Sequence, residues 1–168
     1  MLFFTDEVDE FAIKMLGAYS EKEFKSISSG DLDLENQDDE SQEDKPESDE
    51  NKELFDFITE SLGGKIKSAK ASKKLKTHPV CLSSEGELSI EMEKVLSMMP
   101  DGAGAKAEKI LEINTSHRIF ETLRDAFSND REKAEKIARV LYNRALVIEG
   151  LSIEDPVEYA NDVCSLMM

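Results

Sequence analysis

Hydrophobic positions along the chain change period several times, and each change marks an element. Leu111 and Ile113 alternate with Glu112, the period of a half-buried strand, within a candidate strand at Lys109 to Ile113. Ile119, Phe120, Leu123 and Phe127 then recur at helical spacing behind candidate caps Asn114 and Ser116. A second helix, Asp130 to Glu149, carries a broad apolar stripe of Ala134, Ile137, Ala138, Leu141, Tyr142, Ala145 and Leu146, and Gly150 stops it. Asp155, Pro156 and Glu158 open a third, Pro156 to Leu166, with an N-cap, a first-turn proline and a capping-box acid.

Upstream the signals are shorter. Leu2 to Phe4 reads as a strand, Thr5 as a cap, and Val8, Phe11, Ala12, Met15 and Leu16 as one helical stripe ended by Gly17. Phe24 to Ile27 reads as another strand. A helix from Asn51 to Leu62 presents Leu54, Phe55, Phe57, Ile58 and Leu62, and needs a sheet to cover its apolar face. Strands at Ile66 to Ala71, Val80 to Ser83 and Lys109 to Ile113 would supply it. The expected class is therefore α+β, a small mixed sheet layered with helices and followed by an all-helical end.

The helix expected at Ser89 to Met99 is distinct in composition. Met92, Val95, Leu96 and Met99 share about 100° of arc, and three of the seven methionines fall here, at positions 92, 98 and 99. Methionine is unbranched and polarizable, so a stripe of it conforms to many partner shapes. The same spacing also describes an ordinary core face. Glu85 to Glu87 before it and PDGAGA at Pro100 to Ala105 after it read as flexible tethers.

Charge is concentrated. Between Asp31 and Glu50 stand eleven acids and one lysine, a net −10 out of −16 for the whole chain. Such a segment cannot bury enough surface to offset its ordering, so residues 30–50 read as an acidic linker, with helix near its C-terminal end. A globally acidic chain argues against unspecific nucleic-acid binding. The lysines from Lys65 to Lys76 lack interleaved aromatics and read as a solvated face. No apolar run reaches the ~20 residues of a membrane span. The two cysteines, Cys81 and Cys164, form no disulfide framework, which fits a reducing cytoplasm.

Catalytic chemistry finds no foothold. His78 and His117 have no ligand-spaced partner, neither cysteine has a nearby histidine, and Gly102 and Gly104 follow a helix where a dinucleotide motif would precede one. No catalytic, cofactor or metal residue is expected. A small enzyme or nucleotide-binding domain with an unfamiliar site is the alternative, and an adaptor acting through the acidic linker a third.

LEINTSH at Leu111 to His117, ETLR at Glu121 to Arg124, LYNRAL at Leu141 to Leu146, EDP at Glu154 to Pro156 and TDEVDEF at Thr5 to Phe11 together resemble the ninety-kilodalton heat-shock chaperone family of the bacterial HtpG type. The resemblance implies the end of a middle domain at residues 1–29 and a C-terminal dimerization domain at 51–168, ending in a helical dimerization bundle. It implies a non-enzymatic fragment of a cytoplasmic bacterial chaperone, with the ATPase domain, ATP and magnesium belonging to the rest of the parent. Met1 directly before Leu2 to Phe4 likewise reads as an artificial start. Expected partners are a second copy and unfolded client proteins, with no nucleic acid and no membrane. The client surface would comprise Phe11, Met92, Val95, Leu96, Met98 and Met99. The dimer interface would comprise Leu141, Ala145, Leu146, Ala160, Val163 and Leu166, since a final helix of about three turns is too short to persist alone.

Overall fold

A computed structural model describes residues 9–24, 49–72, 74–86, 88–97, 104 and 106–168. In chain order the elements are α1 (Asp9–Leu16), β1 (Ala18–Tyr19), β2 (Lys22–Glu23), α2 (Asp49–Ser61), β3 (Ser68–Ala71) and β4 (Val80–Glu85). There follow α3 (Ile90–Ser97), β5 (Glu108–Ile113), α4 (Arg118–Asn129), α5 (Arg131–Ile148) and α6 (Pro156–Met167). They fall into two compact units. One gathers the described residues of Met1–Glu35 and Ser83–Glu108, the other those of Asn36–Leu82 and Lys109–Met168.

The first unit holds α1, the β1–β2 hairpin and α3. Gly17, at φ 67°, closes α1 as its position suggested, and its N–H donates to the Ile13 carbonyl at 2.9 Å. The hairpin was not foreseen. Its two central residues, Ser20 and Glu21, take φ of 52° and 64°, the left-handed pair of a type I′ turn, without the usual asparagine or glycine. Of the strand read at Phe24 to Ile27, Phe24 lies just past β2 and Lys25 to Ile27 lie outside the described residues, as do Leu2 to Phe4 and the linker up to Ser48.

The second unit is built around β5. Strand order is β3-β5-β4, with β3 parallel to β5 in the register Ser68↔Ile110 to Ala71↔Ile113. Helix α2 covers this sheet. Leu54, Ile58, Leu111, Ile113 and Leu123 are at most 1% exposed, so one apolar layer joins α2, β5 and α4. Burying each such side chain contributes roughly 1.5 to 3 kcal/mol. Phe55 stacks on Phe120 with centroids 6.1 Å apart. At the edge, Arg131 lies 3.7 Å over the ring of Phe127 and 5.0 Å over that of Phe57, so a cation on two aromatic faces clamps α2, α4 and the start of α5 together. The α+β layering thus agrees with the sequence pattern. The helical end appears here as α4, α5 and α6 of one chain, and a dimerization bundle is not shown.

Caps separate what the sequence specifies from what it leaves open. Asp130 Oδ1 accepts from the Lys133 N–H at 3.0 Å and Asp155 Oδ1 from the Glu158 N–H at 2.8 Å, as their positions imply. The cap of α4 is different. His117 Nδ1 accepts from the Ile119 N–H at 3.1 Å, whereas Asn114 and Ser116 do not cap the helix. Asn114 is instead buried and makes a knot. Its Oδ1 accepts from the Ser116 N–H, its Nδ2 donates to the His78 carbonyl at 3.1 Å, and its backbone N–H donates to the Pro79 carbonyl at 2.8 Å.

That knot ties the end of β5 to the segment leading into β4. Asn114→Ala is expected to leave the Ser116 N–H and His78 carbonyl without this partner, lowering unfolding free energy by roughly 1 to 3 kcal/mol. Urea denaturation followed by circular dichroism checks this, and an unchanged midpoint would show that the side-chain bonds contribute little.

Candidate interaction surfaces

In the first unit, α3 is set by Ser89. Its carbonyl and hydroxyl receive the backbone N–H groups of Glu93 at 3.0 Å and Met92 at 3.1 Å. Ile90 is the anchor, 3% exposed, while Glu93 Oε2 accepts from the Ala107 N–H at 2.8 Å and fixes the returning chain. Met92, Val95 and Leu96 are half-buried, so this stripe is neither sealed core nor fully solvated. Met98 and Met99 lie outside the described residues, as does the side chain of Phe11, although its backbone belongs to α1. Met15 and Leu16, read from the sequence as part of one apolar helical stripe, are 89% and 54% exposed, and Tyr19 on the unforeseen hairpin is 69% exposed.

In the second unit, α6 runs back alongside α5. The six residues expected at an interface divide there. Leu141, Ala145 and Leu146 are at most 4% exposed, buried within the chain's own core. Val163 and Leu166 are half-buried and only Ala160 is exposed. The open apolar surface lies one step around the helix. Val157, Ala160, Cys164 and Met167 form an outer stripe on α6, joined by Val147 and Ile148 at the end of α5. The signal for them was present as spacing, but the apolar stripe of α5 is so broad that its core and outer parts are not separable by periodicity.

A two-pronged polar contact joins the two helices, and no sequence pattern announces it. Arg139 donates from Nε to Asp162 Oδ2 at 2.8 Å and from Nη2 to Asp162 Oδ1 at 3.0 Å, a two-pronged fork. The hydrogen bond to Asp162 raises the Arg139 pKa above its ordinary value. Glu158 stands 3.8 Å from the same guanidinium. Asp162 is the buried residue of α6.

Other candidate groups are structural in their surroundings. Burial first, and the neighbouring Glu112 carboxylate second, push the Cys81 thiol up to about 11. Glu112 is buried, accepting from Ser72 Oγ at 3.0 Å with Lys70 Nζ at 3.7 Å. Lys65 pairs with Glu154 at 3.2 Å. His78 is exposed and His117 caps α4. Among the described residues no group of three or more His, Cys, Asp or Glu is placed to hold a metal, and no helix is long and apolar enough to cross a membrane.

The family described as Hsp90 protein matches residues 1–168. The chain belongs to the Hsp90 family. It is 62% identical over 167 residues to the chaperone protein HtpG of Clostridium acetobutylicum and 58% identical to that of Clostridium perfringens, in each case 99% of this chain and 26% of the relative. The HtpG of Bacillus subtilis is 52% identical over 168 residues, all of this chain and 27% of that protein. The chain therefore spans about a quarter of the length of the curated relatives it matches. Chaperone activity, stress response and protein folding are the family's setting, as the sequence suggested.

Two narrower expectations are corrected. The Hsp90 match begins at residue 1 and runs to 168, so what it supports is membership of the family over the whole chain, and the placement in a C-terminal dimerization domain behind a middle-domain tail is withdrawn. The statement that the chain is no enzyme, because the ATPase domain lies outside it, rested on that placement and is withdrawn with it.

The raised Cys81 pKa generates a pH dependence. In a Cys164→Ser variant, alkylation of Cys81 should be slow at pH 8 and climb steeply until about pH 11, because only the thiolate reacts. The folded value exceeds the ordinary 9.0, so the stability it contributes is full below pH 9 and is lost as pH rises toward 11. Alkylation at pH 8 as fast as in the urea-unfolded chain would contradict the burial of this thiol.

Proposed function

We propose that this chain serves an Hsp90-type chaperone mechanically, by joining two copies through the outer face of α6 and the end of α5 and by offering an apolar surface to client proteins. The observation that carries the reading is the uncharged outer stripe of Val157, Ala160, Cys164 and Met167 on a chain of net charge −16. Two such chains repel at long range, and they approach at least electrostatic cost where no acid projects. A helix of about three turns gains its persistence from such packing, and two helices from each copy make a four-helix arrangement. The client surface in this reading is Met92, Val95 and Leu96 on α3, with Phe11, Met98 and Met99 as the further residues expected from the sequence. The acidic residues 30–50 separate 1–29 from 51–168 as functional parts, ATP and magnesium are cofactors of the longer protein, and the setting is a bacterial cytoplasm.

Sedimentation velocity at micromolar concentration should show a dimer for the native chain and a folded monomer for Val157→Glu combined with Cys164→Glu. A native chain that sediments only as a monomer would end this reading.

The client surface is tested separately. Replacing Met92, Val95 and Leu96 with serine should cost less than the roughly 2 to 5 kcal/mol that each fully buried truncation costs, since all three are half-buried. The native chain should slow aggregation of an unfolded model protein, and the variant should do so less well while remaining a dimer. Collapse of thermal stability in the variant would return α3 to the core.

A further inference from the structure

Helix α6 has a mixed attachment. The side facing α5 carries Tyr159, Val163 and Leu166, all half-buried, and one buried residue, Asp162. At 100° per residue, Asp162 points roughly 160° around the helix from both Ala160 and Cys164. Its bidentate partner, Arg139, projects from the middle of α5 and is itself three-quarters covered, with a side chain 26% exposed. A planar guanidinium meeting a carboxylate through two parallel hydrogen bonds fixes orientation as well as distance, which three half-buried apolar side chains do not.

We propose that Arg139 and Asp162 are the residues that position the self-association surface, setting the rotation of α6 about its own axis and so selecting which face is presented to a second copy. The inference rests on the dimer reading above and adds its determinant. With the fork made, Val157, Ala160, Cys164 and Met167 face outward, and the apolar residues Tyr159, Val163 and Leu166 face α5. Without it, α6 retains two apolar sides of similar character, one on Val163 and Leu166 and one on Ala160 and Cys164, and neither is preferred. A buried charge pair of this kind acts through specificity more than through stability, the role best attested for buried polar groups in helical assemblies.

The test uses the full chain and four proteins: native, Asp162→Asn, Asp162→Arg, and Asp162→Arg combined with Arg139→Glu. Dimer dissociation is measured by sedimentation equilibrium on dilution, and folding by thermal melting. Removing one partner of a buried charge pair should weaken the dimer about tenfold or more, and the exchanged pair should recover a substantial part of the loss. Maleimide labelling supplies a readout that mere stabilisation would not move. In the native dimer Cys164 should be protected relative to the diluted monomer, and in the residual Asp162→Arg dimer that protection should be lost, whereas the exchanged pair should restore it.

A native dimer whose dissociation is unchanged in Asp162→Asn overturns the inference while leaving the dimer reading intact, and this near-isosteric variant decides the matter if Asp162→Arg fails to fold. Weakened association with Cys164 still fully protected overturns it too, since the pair would then hold α6 down without choosing its face. A native chain that is only monomeric overturns the dimer reading and this inference together.

Discussion

A sheet as narrow as β3, β5 and the first half of β4 cannot exclude water by itself, and everything in the second unit follows from how its open face is closed. Helix α2 packs along β3, and Leu54 and Ile58 of α2, Leu111 and Ile113 of β5 and Leu123 of α4 are all sealed from solvent. Without α2 the central strand would expose two of its largest apolar side chains, and α4 would have no surface on which to lay Phe120. The stack of Phe55 on Phe120, and the tilted pair of Phe57 and Phe127 with Arg131 over both rings, are the lateral contacts that keep that closure in register. The helical end is thus an extension of the sheet's need for cover, not a separate body attached to it.

Legibility of the sequence followed the range of the interactions. Signals whose acceptor and donor lie within four residues were readable, which is why the cap at Asp155 and the stops at Gly17 and Gly150 stand where the pattern put them, and why the helix expected to start at Asp130 has that residue as its N-cap. His117 displaced Asn114 as the cap of α4 because Asn114 has partners some 36 positions away, at His78, and no local rule anticipates them. The hairpin at Ser20 and Glu21 escaped for a related reason: its left-handed turn is imposed on residues that carry no glycine or asparagine signature.

The candidate surfaces were legible as faces but not as exposures. Periodicity located the apolar stripe of α5 correctly, yet Leu141, Ala145 and Leu146 go inward while Val147 and Ile148, on the same helix, remain half open. Which part of a wide stripe is covered depends on neighbours that a helical wheel does not contain. Arg139 and Asp162 illustrate the limit from the other side, since two charged residues 23 positions apart in sequence gave no reason to be joined. Family membership was legible from short strings in order, but the assignment to one domain within the family asked more of them than the comparison supports.

Helix α5 has a mechanical property that none of its individual contacts expresses. Its 18 residues extend about 27 Å at 1.5 Å per residue. One end is clamped by Arg131 to the rings of Phe57 and Phe127, and the other carries exposed Val147 and Ile148. Between these ends Ala134, Ile137, Ala138, Leu141, Ala145 and Leu146 are all buried, so the rod is seated along nearly its whole length. A helix held in this way cannot bend on its own, and any displacement of its outer tip is shared with the core beneath it.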